Sequence, residues 1–168
     1  MLKGSTRLLM LILCTISIVS CSKESIDEEV KVYDQVAETK SSYTYTEIEL
    51  EILDRVNIYR DELSLPQLKT IAAASVQAED HTNYMIAKGE ISHDNFPARY
   101  SELVQEAGAI EVSENVAYGY STADAVVKAW IKSEGHRKNI VGNHTHFGIS
   151  VKEDSEGKLY FTNIFLTK

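Results

Sequence analysis

Apolar positions along this chain change their period from segment to segment, and the changes mark its elements. From Thr46 the pattern is helical: Ile52, Val56, Tyr59 and Leu63 recur at helical spacing, and the helix must end before Pro66. Thr46-Glu47-Ile48-Glu49 opens it as a capping box, in which the Glu49 carboxylate reaches back to the Thr46 amide. A second helix is predicted over 69–88, with Ile71, Ala74, Ala78, His81 and Met85 on one stripe and Gly89 as its stop. Its alanines let a neighbour approach closely. A short helix near 100–107 ends at Gly108, and VSENVAYGY reads as extended chain running into a turn. Ser121 and Asp124 then open a helix with one apolar face, Ala123, Val126, Val127, Trp130 and Ile131. It is predicted to end at Glu134, with Gly135 as the left-handed terminator.

Toward the C-terminal end the period drops to two. Phe147, Ile149 and Val151 alternate on one strand, DSEG turns, and Leu159, Phe161 and Phe165 alternate on the return. The return strand is also apolar on its other face, through Tyr160, Ile164 and Leu166, so the sheet should be covered on both sides. Helices come first and a hairpin last, without regular alternation. That order predicts α+β layers and excludes a doubly wound parallel sheet.

Ahead of this domain the pattern is different. Lys3 and Arg7 precede an apolar run, Leu8 to Val19, too short to span a bilayer but suited to a secretory leader. Ile18-Val19-Ser20-Cys21 resembles a bacterial lipobox, whose cysteine is acylated and becomes the mature N-terminus. The alternative is an ordinary leader with an incidental cysteine. Acyl chains contribute about 0.8 kcal/mol per buried methylene, so a lipidated Cys21 is a durable membrane anchor. Three parts are expected: a lipoprotein signal peptide over 1–20, an acidic tether over 21–45 and a globular domain over 46–168. The tether, with neither glycine nor proline, reads as solvated chain with some helix. Its SKE…DEE opening resembles acidic signals that carry some Gram-negative lipoproteins to the surface. The expected location is the cell envelope, lipid-anchored, at the outer membrane or cell surface.

Charge narrows the partners. The net charge is −8, and −10 once Lys3 and Arg7 leave with the leader. An acidic domain argues against nucleic acid and against an electrostatic hold on anionic lipid, which leaves Cys21 as the membrane contact. The two cysteines, Cys14 and Cys21, lie in the leader and at the anchor, so the exported domain has none to pair. Its stability must come from packing.

Three polar clusters stand beside predicted breaks: Ser92-His93-Asp94, Glu114-Asn115, and His136 directly after Gly135. Two imidazoles and a carboxylate could form a His₂-carboxylate zinc site, or a hydrolytic set with Glu114 as general base. They could equally form a metal-free brace. Singly they read as a loop residue, a surface carboxylate and a cation at a helix C-terminus. Asp94 could orient an imidazole from behind. Ser133 and His136 suggest a hydroxyl with its base, but a small residue at a close helix contact explains Ser133 better. His144 and His146 would share a strand face, but they lie in a loop and read as surface histidines. Tyr84, Tyr118 and Tyr120 are candidate groove walls or packing aromatics, and His81 reads as a core histidine on its helical stripe.

SHDNF, SENVAYG, AWIKSEGHRKNI, FGISV and YFTNIF occur in the order and approximate spacing of the bacterial CAP superfamily, from about Leu50 to Phe165. That superfamily includes cysteine-rich secretory proteins, antigen 5 and plant pathogenesis-related proteins. Trp-x-x-Ser-x-Gly-His-Arg-x-Asn-Ile is the most specific element. The resemblance implies an α+β fold, a three-layer α-β-α sandwich with a small antiparallel sheet and a groove lined by histidines and acidic residues. It implies that His93, Glu114 and His136 line that groove; Ser133 stands where many eukaryotic relatives carry a second glutamate. The eukaryotic disulfides are missing. The expected function is a lipid-anchored extracellular binding or interaction module for a protein, peptide or lipid ligand, with no required cofactor. The alternative is a metal-dependent hydrolase, a peptidase or esterase, with a divalent ion such as zinc on His93 and His136.

Overall fold

The computed structural model describes residues 42–168. The leader, Cys21 and most of the expected tether lie outside the described residues. Helix α1 (Glu47–Glu62) begins at the predicted capping box: the Glu49 carboxylate accepts the Thr46 amide at 2.8 Å. The same carboxylate also accepts the Val151 amide at 2.8 Å and the Tyr43 hydroxyl at 2.9 Å, so the cap ties the helix to the sheet. Tyr45 places its hydroxyl 2.8 Å from Ser75 Oγ. Tyr43 and Tyr45, expected in the tether, therefore dock on the domain.

Strand β1 (Lys69–Thr70) and helix α2 (Ala72–Lys88) share the span expected to be all helix. The amides of Lys69 and Ile71 are drawn into pairing with the carbonyls of Thr145 and Phe147, which delays the helix. Gly89, at φ 75°, closes α2 as predicted. Helix α3 (Phe96–Ala107) starts earlier than expected, behind Asn95 at φ 60° and with Pro97 in its first turn. Strand β2 (Glu111–Tyr118) follows, then α4 (Ala123–Lys132), capped by Thr122 Oγ1 on the Ala125 amide rather than by Ser121. The predicted end at Gly135 is corrected. Ser133, in extended backbone at φ −86°, ψ 119°, separates α4 from a further helix, α5 (Glu134–Ile140), and Gly135 lies inside it. Glycine can terminate a helix but need not, and here the break came two residues sooner.

Strands β3 (His146–Glu153) and β4 (Leu159–Thr167) make the predicted hairpin. The sheet order is β1-β3-β4-β2, antiparallel except for the short β1–β3 pairing, so β2 is an edge strand. Helices cover both faces. On one side Phe161 and Phe165 meet Ile52, Val56 and Trp130 of α1 and α4; on the other Ile164 and Leu166 meet Ala74, Ala78 and Leu103 of α2 and α3. This is the α-β-α sandwich that the resemblance implied.

Two contacts fix the site's supports. Arg60, 1% exposed, donates to the carbonyls of Pro66 (2.8 Å), Ile140 (2.7 Å) and Gly142 (3.0 Å), pinning the end of α5 and the loop after it. Gly148 lets α2 approach β3 so closely that a Cβ there would collide with Ala74. Gly148→Ala should cost about 1–3 kcal/mol, the usual range for overpacking, read as a lower urea midpoint. An unchanged midpoint would contradict the tight α2–β3 contact.

Candidate functional site

The site is organised by one carboxylate on the edge strand. Glu114 is even-numbered on β2, so its side chain turns to the α2/α3 face together with Val112 and Val116. Its side chain is 1% exposed. Arg99, from the first turn of α3, grips it with a fork: Nε to Oε2 at 2.9 Å and Nη2 to Oε1 at 2.8 Å. The third guanidinium nitrogen, Nη1, donates to the Asp94 carbonyl at 2.7 Å and so holds the turn that carries His93. His93 Nδ1 then meets Glu114 Oε1 at 2.8 Å. Burial alone would raise the Glu114 pKa, but the hydrogen bonds from His93 and Arg99 and the Arg99 charge outweigh it, and the carboxyl lies below its ordinary range.

These bonds fix protons. An ionised carboxylate only accepts, so His93 Nδ1 carries hydrogen and, in the neutral ring, Nε2 is left as a lone pair. The His93 side chain is 52% exposed. His81, buried behind it, donates from Nε2 to the Ser92 carbonyl at 2.7 Å and lies 3.8 Å from Glu114 Oε1. Burial lowers its pKa, so it is a neutral prop, consistent with its reading as a core histidine.

His93, Phe96, Val112, Ser113, Glu114 and Asn139 line a groove of about 290 Å³. Asn139 spends its amide nitrogen on the Glu114 carbonyl (3.1 Å) and on Asn115 Oδ1 (2.8 Å). Asn115 in turn donates to the His136 carbonyl at 3.1 Å. Helix α5 is thus stitched to the edge of β2 through its main chain. His93 and Glu114 are in direct contact. His136 is half-buried nearby, its pKa lowered by burial and by the charge of His93, but among the described residues its ring takes no hydrogen bond.

Several expected roles are corrected. Asp94 accepts from Lys88 Nζ (2.7 Å) and the Tyr84 hydroxyl (2.9 Å), both on the last turns of α2, and not from an imidazole. The acceptor behind the His93 ring is Glu114. Ser133 stands in extended backbone at the N-cap position of α5, without a side-chain capping bond. His144 is no surface residue; it is buried and stacked on Phe165, while His146 opens β3, half-buried. Tyr118 packs on Tyr160, and Tyr120 lines a separate cavity with Ser121, Glu153 and Lys158. Tyr84 stacks on His81, behind the cluster. Arg99 was missed by sequence reasoning although a signal existed: it shares a helical face with Leu103 and Ala107, and a cation on a core stripe implies a buried partner.

Among the described residues no group of three His, Cys, Asp or Glu side chains is placed to hold a metal ion. Arg99 and His93 already occupy the Glu114 carboxylate with hydrogen bonds. Two imidazoles remain.

Residues 53–165 match the cysteine-rich secretory protein family, CAP, and the chain belongs to that family. It is 30% identical to the membrane protein YlbC of Bacillus subtilis over 79% of its own length and 38% of that protein's. It is 31% identical to YkwD of the same organism, over 68% of this chain and 46% of the relative. The chain thus matches less than half the length of either relative. Among solved structures it resembles an extracellular protein containing an SCP domain from Bacillus anthracis (27% identity, TM-score 0.62, 76% of this chain, 45% of that one). It also shares its fold with an outer surface protein of Borrelia burgdorferi (17% identity, TM-score 0.65, covering 76% and 98%).

Removing one partner of a buried ion pair costs about 3–5 kcal/mol, so Arg99→Met should lower stability by that order. The wild type should also lose stability as pH falls through the depressed folded-state pKa of Glu114, because protonation surrenders the Arg99 and His93 bonds; above the unfolded-state value that contribution is fully present. In Glu114→Gln this acid limb should flatten. Urea midpoints against pH measure both, and an Arg99→Met protein as stable as wild type would remove the ion pair from the account.

Proposed function

We propose that this CAP domain is an extracellular, membrane-tethered binding module that takes up its ligand in the groove beside His93. The observation that carries this reading is the commitment of Glu114: with its oxygens engaged, the groove offers His93 Nε2 as an acceptor beside the apolar surfaces of Phe96 and Val112. A ligand suited to it brings an N–H or O–H donor next to an apolar group, as peptides and lipids do. Location outside the cytoplasm is supported by the leader and lipobox pattern and by relatives described as membrane, extracellular or outer surface proteins. No helix among the described residues is long and apolar enough to cross a membrane, and the proposed attachment is the acylated Cys21.

A second reading is a metal-assisted hydrolase. It is favoured by the Glu114–His93 contact, since a carboxylate behind an imidazole is the usual support of a metal-binding histidine. His93 and His136 are the groups that would hold zinc. With Glu114 held by Arg99, no third ligand is placed beside them among the described residues, so the binding reading leads.

Two measurements test the proposal. Cys21→Ala should move the protein from the membrane fraction to the soluble one; retention in the membrane rejects lipidation. In amide NMR titrations with short N-acetylated peptides and lysophospholipids, shifts should centre on His93, Phe96, Val112 and Asn139. His93→Ala should weaken the binding at least about tenfold, the loss of one good hydrogen bond to a charged or polarised partner, while the protein still folds at a somewhat lower melting temperature. Unchanged affinity would reject the groove as the ligand site.

A further inference from the structure

Behind Ser113 in the groove wall is a buried histidine, His144, that the binding reading does not use. Ser113, one residue before Glu114 on β2, turns to the other face of the strand and also lines the groove. Its Oγ lies 3.0 Å from Nε2 of His144. His144 Nδ1 lies 3.3 Å from Thr167 Oγ1, and Thr167 Oγ1 lies 2.8 Å from the Asn143 carbonyl. The shorter contact, Thr167 to the Asn143 carbonyl, sets the protons along the rest. A carbonyl only accepts, so the Thr167 hydroxyl donates to Asn143. Its oxygen is then left to accept from His144 Nδ1–H. Nε2 therefore carries a lone pair, and Ser113 must donate its hydroxyl proton to it.

That is the arrangement of a hydroxyl nucleophile with an oriented base. Packing holds the ring on two sides. It stacks on Phe165, with centroids 5.9 Å apart. Gly142 lies so near that an added Cβ would come to 2.9 Å from both Cδ2 and Nε2. Burial lowers the ring's pKa, with Arg60 adding to the effect against Glu111, which keeps a base neutral and ready to take a proton. A donor for a developing oxyanion is also present. The Glu114 carbonyl faces outward to Asn139, and a strand residue turns its N–H and C=O to the same edge, so the Glu114 amide also faces away from β4. It is the amide of the residue following the nucleophile, a recurrent oxyanion donor.

We propose that Ser113 and His144 are a nucleophile–base pair that cleaves carboxylic esters held in this groove. This rests on the groove being a ligand site and adds chemistry to it. Ser113 Oγ bonds to the acyl carbon as His144 Nε2 takes its proton. The carbonyl electron pair moves to oxygen, returns, and expels the alkoxide, which leaves as the alcohol with the proton from Nε2. Water then adds to the acyl-serine, giving its proton to Nε2, and collapse releases the carboxylic acid and restores the Ser113 hydroxyl with that proton. The orienting group behind His144 is a neutral hydroxyl rather than a carboxylate. The pair therefore suits alkoxide or phenoxide leaving groups better than the amines of peptides. Phe96 and Val112 give the acyl chain an apolar wall.

The test uses the full-length protein in detergent with two probes, a small alkyl fluorophosphonate and p-nitrophenyl butyrate, in the presence of EDTA. The expected result is one phosphonyl adduct, mapped by peptide mass spectrometry to Ser113 and absent in Ser113→Ala. Ester hydrolysis should fall about 100-fold or more in His144→Gln, the scale of a general base. Gly142→Ala, which crowds the ring while leaving both groups in place, should lower hydrolysis and labelling together if His144→Gln proves unstable. A wild-type protein that takes no adduct on Ser113, hydrolysis equal in wild type and Ser113→Ala, or activity abolished by EDTA would overturn the proposal. Because the covalent probe is small, failure to label removes the pair and leaves ligand affinity at His93 standing. Intact labelling with no His93-dependent affinity removes the binding reading alone.

Discussion

Everything at this site follows from the cost of burying Glu114. A carboxylate shut away from water loses hydration worth several kcal/mol or more, and the chain recovers it only through the Arg99 fork and the His93 bond. Those contacts fix the start of α3, the turn 92–95 and the edge strand β2 in one unit. They also decide what the groove can do. A carboxylate gripped by a guanidinium has its lone pairs engaged, and the exposed polar group beside it is His93, whose ring it orients.

The groove exists because β2 is an edge strand whose outward peptide groups are partly covered. Trp130 Nε1 donates to the Val116 carbonyl at 3.2 Å, and Asn139 covers that of Glu114. Covered carbonyls blunt the edge against pairing with another chain. They leave the stretch around Val112–Glu114 as the open part, straddled by His93 and Phe96 on one side and by Ser113 and Asn139 on the other. Alternation along one strand therefore sends the side chains of Glu114 and Ser113 to opposite faces while both line the same hollow.

Much of this was legible in the chain because it is local. The capping box at Thr46, the stops at Gly89 and Gly108, and the β3–β4 hairpin follow from short-range spacing, and the covered sheet follows from apolar residues on both faces of β4. The errors are where tertiary contacts override a local rule. Gly135 looked like a helix terminator, yet Ser133 breaks the chain first and Gly135 continues as helix. Lys69 and Ile71 looked helical until β3 offered them carbonyls. Asp94 looked like a group to orient an imidazole, but Lys88 and Tyr84 reach it from α2. Arg99 and His144 matter only through residues brought close by folding, so spacing alone could not pair them with Glu114 and Ser113.

The central claim, that a buried Glu114–Arg99 pair sets the His93 ring, has a direct readout in the imidazole nitrogens. Long-range ¹H–¹⁵N correlation spectra, recorded at a pH where His93 is neutral, distinguish a nitrogen bearing hydrogen from one bearing a lone pair. The account predicts Nδ1–H with a lone pair on Nε2 in the wild type, and loss of that preference in Glu114→Gln. An Nε2–H tautomer in the wild type, or a tautomer mixture indifferent to Glu114, would contradict it.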